Sequence, residues 1–407
     1  AVQAYQKRCG AVIDWAMETA RTTHRRFPIR LVKGAYWDAE IKQTQEKGLE
    51  DYPVFTRKIF TDISYIHAAE KMFAADEIYP QFATHNAYTV ATIQEIAAHR
   101  PYEFQRLHGM GEQLYSQIVT PEVPCRIYAP VGEHRDLLAY LVRRLLENGS
   151  NSSFVNRIYD VKTPIHLITE DPIAAAKSLT VISHPHLPLP QDMLLPQRKN
   201  SRGIDLSNQS ERHQLDTFLT AFPSRFPIQT GLLGGDKGVK ERKINQVFNP
   251  ANSTQVVGLC AQATDQDCQQ AIEIAKKNQE YWRNLPVESR AANLEKLAIN
   301  LESQTHELIA LLVYESGKTI IDAIAEIREA VDFCRYYANQ ARLQMTTPVS
   351  LPGPTGEINE ISLHSRGIFV CISPWNFPLA IFIGQVAAAL VTGNVVIAKP
   401  AQQTPSI

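Results

Sequence analysis

The stretch RLVKGAYWD, Arg30–Asp38, ends an apolar strand-like run with a lysine, a glycine and two aromatic residues. Similar apolar runs that end in polar residues recur through the first 158 residues, with helical stretches between them. The strand-like runs are Val2–Tyr5, Ile29–Lys33, Gln81–Thr84, Glu103–Leu107 and Arg126–Ala129. Strands that alternate with helices predict parallel βα units, and we expect an α/β fold, a partial (β/α)8 barrel with about strands 4–8. A doubly wound sheet is the structural alternative.

The composition of the chain indicates its general class. The 407 residues carry a net charge of -1, with 44% hydrophobic and 20% charged residues, which is typical of an ordinary globular protein and gives no global signature of nucleic-acid binding. The six cysteines are widely spaced without a CxxC pair, so we expect free thiols and no metal site. No apolar run is long enough to span a bilayer and no signal peptide opens the chain. Both ends read as cut through structure, which predicts a fragment.

Three regions are predicted along the chain. Residues 1–159 form the barrel part, and residues 160–244 form a proline-rich connector with short helices. Residues 245–407 form a Rossmann-type domain, with helices expected at about Asp265–Gln279, Val287–Ser303, His306–Ser316 and Ile320–Arg342. A βαβ unit follows, with strand Ile368–Ile372, helix Leu379–Val391 and strand Val395–Ala398. Its first turn lacks the GxGxxG dinucleotide fingerprint.

Polar groups at successive strand ends predict a ligand site on the barrel rim. Arg30 and Lys33 suit a phosphate or an electron-rich ring edge, and Gly34 permits close backbone approach. The alternative interpretation of Arg30–Asp38 is an ordinary strand end, in which the lysine is solvated and the aromatic residues lie in the core. Arg143 and Arg144 lie together on an apolar helix, where paired guanidiniums suit a carboxylate. The alternative there is a solvent-facing pair with Arg143 bridged to Glu147.

The runs RLVKGAYWD, FATHN, FQRLHGMGE, CRIYAPVG, and LLAYLVRRLLENG followed by NSSFVNRI resemble the proline dehydrogenase barrel of the bifunctional proline-utilisation flavoproteins. The resemblance implies FAD-dependent oxidation of L-proline to 1-pyrroline-5-carboxylate. Arg143 and Arg144 would bind the proline carboxylate, and Tyr128, Tyr36 and Leu107 would shape the pocket. The residues implied to line FAD are Gln3, Arg30, Val32, Lys33, Gly34, Ala35, Trp37, Thr56, Thr84, His85, Asn86, Gln105, Glu147, Ser153 and Phe154.

A second constellation follows the strand that ends near Ile372. In the run SPWNFP, Asn376 supplies an amide that suits a developing oxyanion, and Lys399 ends the next strand, where its ammonium suits ribose hydroxyls. The alternatives are a helix N-cap for Asn376 and a solvated strand end for Lys399.

The run SPWNFP is followed by GN, AKPA and TP and is preceded by ESGKT at Glu315–Thr319. Together these runs resemble the NAD-binding domain of the aldehyde dehydrogenase superfamily. The resemblance implies NAD-dependent oxidation of glutamate semialdehyde to glutamate. Ile372, Ser373, Pro374, Trp375, Lys399 and Gln402 would contact NAD, and Asn376 would serve the oxyanion hole. Many relatives carry Glu at the position of Gln402. Cys371 precedes the cofactor loop and is not the expected nucleophile, since the superfamily's Cys and Glu lie further downstream.

Two other functions stay open at this point. One is a monofunctional proline dehydrogenase with a non-catalytic aldehyde-dehydrogenase-like scaffold. The other is a proline-responsive repressor, which requires an N-terminal DNA-binding segment that this sequence does not contain. The resemblance further implies a quinone electron acceptor, a homodimer, and a cytoplasmic protein with peripheral association at the inner face of the membrane.

Overall fold

A computed structural model describes residues 1–149, 164, 169–231 and 242–407, without the side chains of residues 143–149. The described chain divides into two compact units. The first comprises Ala1–Thr44 and Asp51–Pro188, and the second comprises Gln45–Glu50 and Leu189–Ile407. The division at Pro188 falls inside the region that the sequence marks as a connector.

Five parallel strands form the sheet of the first unit. They are β1 (Val2–Gln3), β2 (Phe27–Val32), β3 (Ile78–Ala83), β4 (Glu103–Leu107) and β5 (Cys125–Tyr128), and they pair in chain order. A doubly wound sheet reverses its strand order at a switch point, whereas a barrel wall keeps chain order. The five predicted strands and their parallel pairing are confirmed, and the order favours a barrel wall.

One or two helices follow each of these strands along the chain. They are α1 (Cys9–Thr22), α2 (Trp37–Lys47), α3 (Lys58–Phe73), α4 (Ala87–Ala97), α5 (Glu112–Tyr115) and α6 (His134–Gly149). Helix α2, which begins immediately after the RLVKGAY segment, was not predicted. Helix α3 starts at Lys58, four residues after Val54, which forms an antiparallel bridge with Gln6.

The core of the first unit lies between the sheet and these helices. Leu31, Phe82 and Phe104 point from three adjacent strands into it, and Tyr65 and Met72 of α3 meet them from the helical side. Since successive side chains of a strand alternate between its faces, the residues next to these three belong to the opposite face. That opposite face carries the polar residues described below.

The second unit begins with short elements and then becomes predominantly helical. Helix α7 (Pro172–Lys177) precedes the second unit and belongs to the first. In chain order, the elements of the second unit are α8 (Gln209–Ala221), a 3-10 turn (Phe222–Arg225), β6 (Ile228–Thr230), β7 (Ile244–Asn249), β8 (Asn252–Ala261), α9 (Asp265–Asn284), α10 (Val287–Ser303), α11 (Thr305–Tyr314) and α12 (Ile320–Met345). Strand β8, which pairs with both β6 and β7, was not predicted. Helix α8 of the expected connector buries Leu215 and Leu219 in the same core as α10–α12.

The last elements form the expected βαβ unit. Strand β11 (Ile368–Ile372), helix α13 (Ala380–Val391) and parallel strand β12 (Val395–Lys399) follow the hairpin of β9 (Val349–Leu351) and β10 (Asn359–Ile361). In α12, the side chains of Ile327, Val331 and Cys334 are buried completely or nearly so. All six cysteines are free. Within the described ranges, no helix is both long and apolar enough to cross a membrane.

Candidate active sites

One face of the β1–β5 sheet is polar. Strand register places Gln3 beside Val32, Arg30 beside Gln81, and Leu107 beside Tyr128. By alternation from the buried core residues, this face carries Gln3, Arg30, Val32, Gln81, Ala83, Glu103, Gln105, Leu107, Arg126 and Tyr128. Six of the predicted FAD and substrate residues, Gln3, Arg30, Val32, Gln105, Leu107 and Tyr128, therefore share one face.

Glu103 is the centre of a hydrogen-bond network on this face. Its Oε1 accepts from Gln81 Nε2 at 2.9 Å and from Gln105 Nε2 at 2.7 Å. Arg126 binds the same carboxylate with two donors, Nε at 2.8 Å to Oε1 and a terminal amino group at 2.9 Å to Oε2. The Arg126 hydrogen bond is the main cause that lowers the pKa of Glu103. The carboxylate is therefore held ionised and fixed in orientation.

Arg30 joins this network through Gln105. Its Nε donates to Gln105 Oε1 at 2.8 Å, and its guanidinium carbon lies 5.1 Å from the centre of the Tyr128 ring. A guanidinium at this distance from an aromatic ring is held by cation–π attraction. Two predicted cofactor residues and one predicted substrate residue are thus in contact.

Lys33 points away from the polar face, because it is three residues after Arg30 and shares the orientation of Leu31. Its ammonium pairs with Asp62 of α3, which also accepts from Lys58 at 2.7 Å, and it lies 5.9 Å from the centre of the Tyr65 ring. Burial lowers the pKa of Lys33, although Asp62 acts in the opposite direction. The solvated lysine of the alternative interpretation is wrong, since this ammonium is largely enclosed.

The segment after Lys33 is shaped by a close backbone approach. Gly34 has φ +142°, and a Cβ at this position would collide with the ring of Tyr5. Tyr36 is half exposed, whereas Trp37 donates its indole N–H to the Phe55 carbonyl at 2.9 Å and packs on the small cluster around Tyr5. Ala35 lies between Gly34 and Tyr36 in the sequence and is exposed. Thr56 is partly buried just before α3.

The segment after β3 has partly structural roles. Asn86 Oδ1 caps α4 by accepting from the Thr89 N–H at 3.1 Å, and the Asn86 N–H bonds to Thr84 Oγ1 at 3.1 Å. His85 Nε2 accepts from the Leu107 N–H at 3.2 Å. His85 and Leu107 are therefore adjacent, although they end different strands.

The side chains of Arg143, Arg144 and Glu147 lie outside the described part of the chain, as do residues Ser153 and Phe154. Their predicted roles at the proline carboxylate and at FAD stay predictions. The backbone of the helix that carries the two arginines is present, in α6. This helix follows β5, the strand that ends in Tyr128.

The second site lies at the carboxyl ends of β11 and β12. Ile372 pairs with Lys399, and the Ser373 N–H donates to the Lys399 carbonyl at 3.2 Å. Ile372, Trp375, Asn376, Lys399 and Gln402 are exposed, Pro374 is half-buried, and Ser373 is buried. The predicted nucleotide residues are therefore gathered at one edge of this unit, as expected for the carboxyl edge of a parallel sheet.

Asn376 does not cap the following helix. Helix α13 starts at Ala380, four residues further on, and the first N–H groups of that turn donate to Glu326 of α12. Leu379 N–H lies 2.8 Å and Ala380 N–H 3.1 Å from Glu326 Oε1. The N-cap interpretation of Asn376 is thus wrong, because a distant carboxylate caps the helix and leaves this amide exposed.

Cys371 is a buried strand residue, and burial raises the pKa of its thiol. A thiol that ionises poorly is a weak nucleophile. This agrees with the expectation that Cys371 is not the nucleophile. Among the residues described, no group of three or more His, Cys, Asp or Glu side chains is arranged to hold a metal ion.

Three important carboxylates were not singled out from the sequence. Glu103 carries a detectable signal, because Glu103, Gln105 and Leu107 repeat at the two-residue period of one strand face. Asp62 and Glu326 carry none, since each binds a lysine or backbone group from another element. Only the three-dimensional packing identifies these two.

Two family models match separate parts of this chain. Residues 1–157 match the proline dehydrogenase family, and residues 238–407 match the aldehyde dehydrogenase family. Over its whole length the chain is homologous to the bifunctional PutA proteins. It is 49% identical over 425 residues to the bifunctional protein PutA of Escherichia coli (strain K12), covering 100% of this chain and 31% of that protein.

Solved structures give the same result. A crystal structure of a Bradyrhizobium japonicum proline utilization A (PutA) variant aligns with a TM-score of 0.85 and 47% identity, covering 100% of this chain and 38% of that one. The crystal structure of PutA from Bdellovibrio bacteriovorus, inactivated by N-propargylglycine, aligns with a TM-score of 0.88 and 35% identity. The alignment covers 100% of this chain and 42% of that one. The chain spans about a third of the length of the curated PutA relatives.

Proposed function

We propose that this chain supplies parts of both active sites of a proline-degrading enzyme. In the full-length protein, one segment takes part in FAD-dependent oxidation of L-proline to 1-pyrroline-5-carboxylate. The other takes part in NAD-dependent oxidation of glutamate semialdehyde to glutamate. The single observation that carries the proposal is the polar face of the β1–β5 sheet, on which Arg30, Gln105 and Tyr128 are in contact. The five strands then correspond to about strands 4–8 of a (β/α)8 barrel.

The residues of this face fit a flavin. Among hydrogen bonds between described residues, Arg30 uses only Nε, so its two terminal amino groups are available to an electron-rich ring edge. Gln3 and Val32 pair with each other on the same face as Arg30, and Gly34 is exposed just after β2. FAD, when bound, supplies the acceptor for the hydride that leaves proline. Lys33 contributes to the flavin site through its backbone or through its ion pair with Asp62, since its ammonium faces α3.

The chain's own residues bind and orient the substrate in this proposal. Tyr128, Leu107 and half-exposed Tyr36 provide apolar walls for a small ring. Arg143 and Arg144 would hold the carboxylate with charge-assisted hydrogen bonds. A pinned substrate is the main requirement for a hydride transfer that needs little acid–base assistance.

The test uses the full-length protein, which should be yellow and bleach under anaerobic L-proline. Arg143→Met and Arg144→Met should each raise the proline KM at least about tenfold while the bound flavin is retained, because each removes a charged hydrogen-bond donor. Arg135→Met, an exposed arginine at the start of α6, is the matched control and should leave KM unchanged. Unchanged proline KM in both test variants would exclude the carboxylate role.

The second segment is proposed to bind NAD along Ile372–Trp375, with Lys399 and Gln402 at the ribose. The exposed Lys399 ammonium contacts only its neighbouring Pro400 carbonyl, at 3.0 Å, among the hydrogen bonds described. Asn376 would donate to the oxyanion. Asn376→Ala should lower kcat for aldehyde oxidation by roughly a hundredfold, as for other lost oxyanion donors. Asn278→Ala, at an exposed helical amide, is the control; equal rates in the two variants would refute the assignment.

Other parts of the proposal follow from the resemblance and the whole-chain similarity. The domain limits are 1–159, 160–244 and 245–407, and the superfamily's nucleophilic Cys and general-base Glu are placed downstream of these residues. The similarity to bifunctional proteins lends no support to a non-catalytic scaffold or to a repressor. Quinone, the membrane face, a cytoplasmic location, DNA and a homodimer stay predictions.

A further inference from the structure

A buried ion pair lies directly beneath the SPWNFP segment. Glu326 of α12 has a fully buried side chain, and the ammonium of Lys318 lies 2.7 Å from its Oε2. The same ammonium lies 4.1 Å from the centre of the Phe377 ring. The other carboxylate oxygen accepts from the Leu379 and Ala380 N–H groups. Lys318 therefore contacts the SPWNFP segment, and Glu326 binds the two residues that follow it.

Lys318 and Glu326 are themselves held by rigid elements. Gly317, with φ +70°, lies three residues after the end of α11, and the next N–H, that of Lys318, donates back to the Leu312 carbonyl of α11 at 3.1 Å. Thr319 then caps α12 by accepting from the Asp322 N–H at 3.2 Å, and Glu326 follows two turns later. The backbone on both sides of the pair is therefore held by hydrogen bonds outside the SPWNFP segment.

The charges of this pair suit a positioning role. A carboxylate at the N-terminus of a helix is stabilised by the helix dipole and by the free N–H groups. A largely buried ammonium needs both its carboxylate and the ring to offset desolvation. Phe377 stands one residue after Asn376 and two after Trp375, so a shift of its ring moves the amide and the nucleotide contact together.

We propose that Lys318 and Glu326 are positioning residues for aldehyde oxidation: their ion pair fixes Phe377 and the first turn of α13, and thereby sets Trp375 and Asn376 for NAD and the aldehyde oxygen. The inference rests on the proposed NAD-dependent activity. It assigns no direct contact with substrate to either residue. It adds two residues from the ESGKT region and α12 to the SPWNFP site.

The experiment compares Glu326→Gln, Lys318→Met and the double variant in the full-length protein. Either single change leaves one buried charge without its partner, so thermal stability and aldehyde oxidation both decline. The double variant removes both charges, and Gln still offers an acceptor to the helix N-terminus, so thermal stability returns. The cation over Phe377 remains absent, so the NAD KM should stay raised and kcat lowered, each by roughly tenfold. A merely structural pair would recover kinetics together with stability.

Two controls separate the possible outcomes. Glu329→Gln, an exposed carboxylate one turn further along α12, should leave both kinetic constants unchanged. Proline-dependent flavin bleaching should be unchanged in every variant, which verifies folding of the rest of the protein. Wild-type protein that fails to reduce NAD with glutamate semialdehyde would overturn the proposed function. Active wild type with full kinetic recovery in the double variant would overturn the positioning role.

Discussion

Gln105 accepts from Arg30 Nε at 2.8 Å and at the same time donates to Glu103 Oε1 at 2.7 Å. An amide has one acceptor oxygen and one donor nitrogen, so an ionised Glu103 can bind only the nitrogen end. The carboxylate therefore turns the amide oxygen toward Arg30. Through this single amide, Glu103 determines how Arg30 is held over Tyr128.

Glu103→Gln tests this relationship. The substituted amide can bind Gln105 in either orientation, so Arg30 loses its defined acceptor, and Arg126 loses its charged partner. We expect FAD to bind the full-length protein about tenfold more weakly, the scale of one lost charged hydrogen bond. The measurement is the FAD dissociation constant of reconstituted apoprotein, with the exposed Glu122→Gln as control. Equal FAD affinity in the two variants would contradict the relationship.

Asp62 should make stability depend on acid pH. Burial alone raises the pKa of Asp62, but Lys33 and Lys58 outweigh it, so the pKa is lowered below its usual value of 3.8. A lowered folded-state pKa contributes stability that is present above 3.8 and is lost as pH falls through the folded value. Asp62→Asn should remove this acid-dependent loss, as measured by denaturant unfolding from pH 2 to pH 5.

The same substitution should also cost stability at neutral pH, because it leaves the enclosed Lys33 ammonium unpaired. We expect a loss of about 2 kcal/mol, below the range for fully buried pairs since both side chains keep some exposure. Lys58→Met, which removes the half-exposed partner, should cost at most about 1 kcal/mol. Similar losses in both variants would show that Lys33 is solvated.

Gly34→Ala should be strongly destabilising. The φ of +142° strains any side chain, and the new Cβ would also collide with the Tyr5 ring. We expect a loss of more than about 2 kcal/mol from the two effects together. Gly109→Ala is the matched comparison, since its φ is +77° but no atom lies within 4 Å of the new Cβ, so only the backbone strain of about 1 kcal/mol applies. Urea unfolding of both variants measures the difference, and equal losses would mean that Tyr5 moves aside freely.

Much of this architecture follows from local sequence patterns. The five strand runs and the helices α10 and α12 lie close to their expected positions, because apolar periodicity is a property of contiguous residues. Helix α2 was missed since its residues, WDAEIKQTQEK, include only two that are buried. A helix with so narrow an apolar face gives little periodic signal.

The site was only partly predictable for a different reason. Arg30, Gln105 and Tyr128 could be grouped because each lies at or near the end of a strand in an ordered series of motifs. The carboxylates that bind Lys33 and the first turn of α13 could not, since Asp62 is 29 residues from Lys33 and Glu326 is 53 residues from Leu379. No local pattern reports which distant carboxylate reaches a given cation or helix terminus. Asn376 was assigned a capping alternative for this reason.

Glu315 should make stability fall as pH rises toward neutrality. Its side chain is buried, and burial raises its pKa from 4.5 to about 7 although the Ser406 N–H donates to it at 3.1 Å. A raised carboxyl pKa means that the folded state keeps a proton that the unfolded state has released. The contribution of Glu315 to the free energy of unfolding is therefore fully present below pH 4.5, declines between pH 4.5 and about pH 7, and stays constant at its lower value above that.

Glu315→Gln keeps the shape and an acceptor for Ser406 without this ionisation, so it should flatten the decline, which amounts to roughly 3 kcal/mol for a shift of this size. The measurement is the difference in denaturant midpoint between pH 5 and pH 7.5 for the variant and the wild type. Glu329→Gln, at an exposed position, should retain the wild-type difference. An unchanged slope in Glu315→Gln would mean that the carboxylate is ionised in the folded state, held by the Ser406 N–H against the cost of its burial.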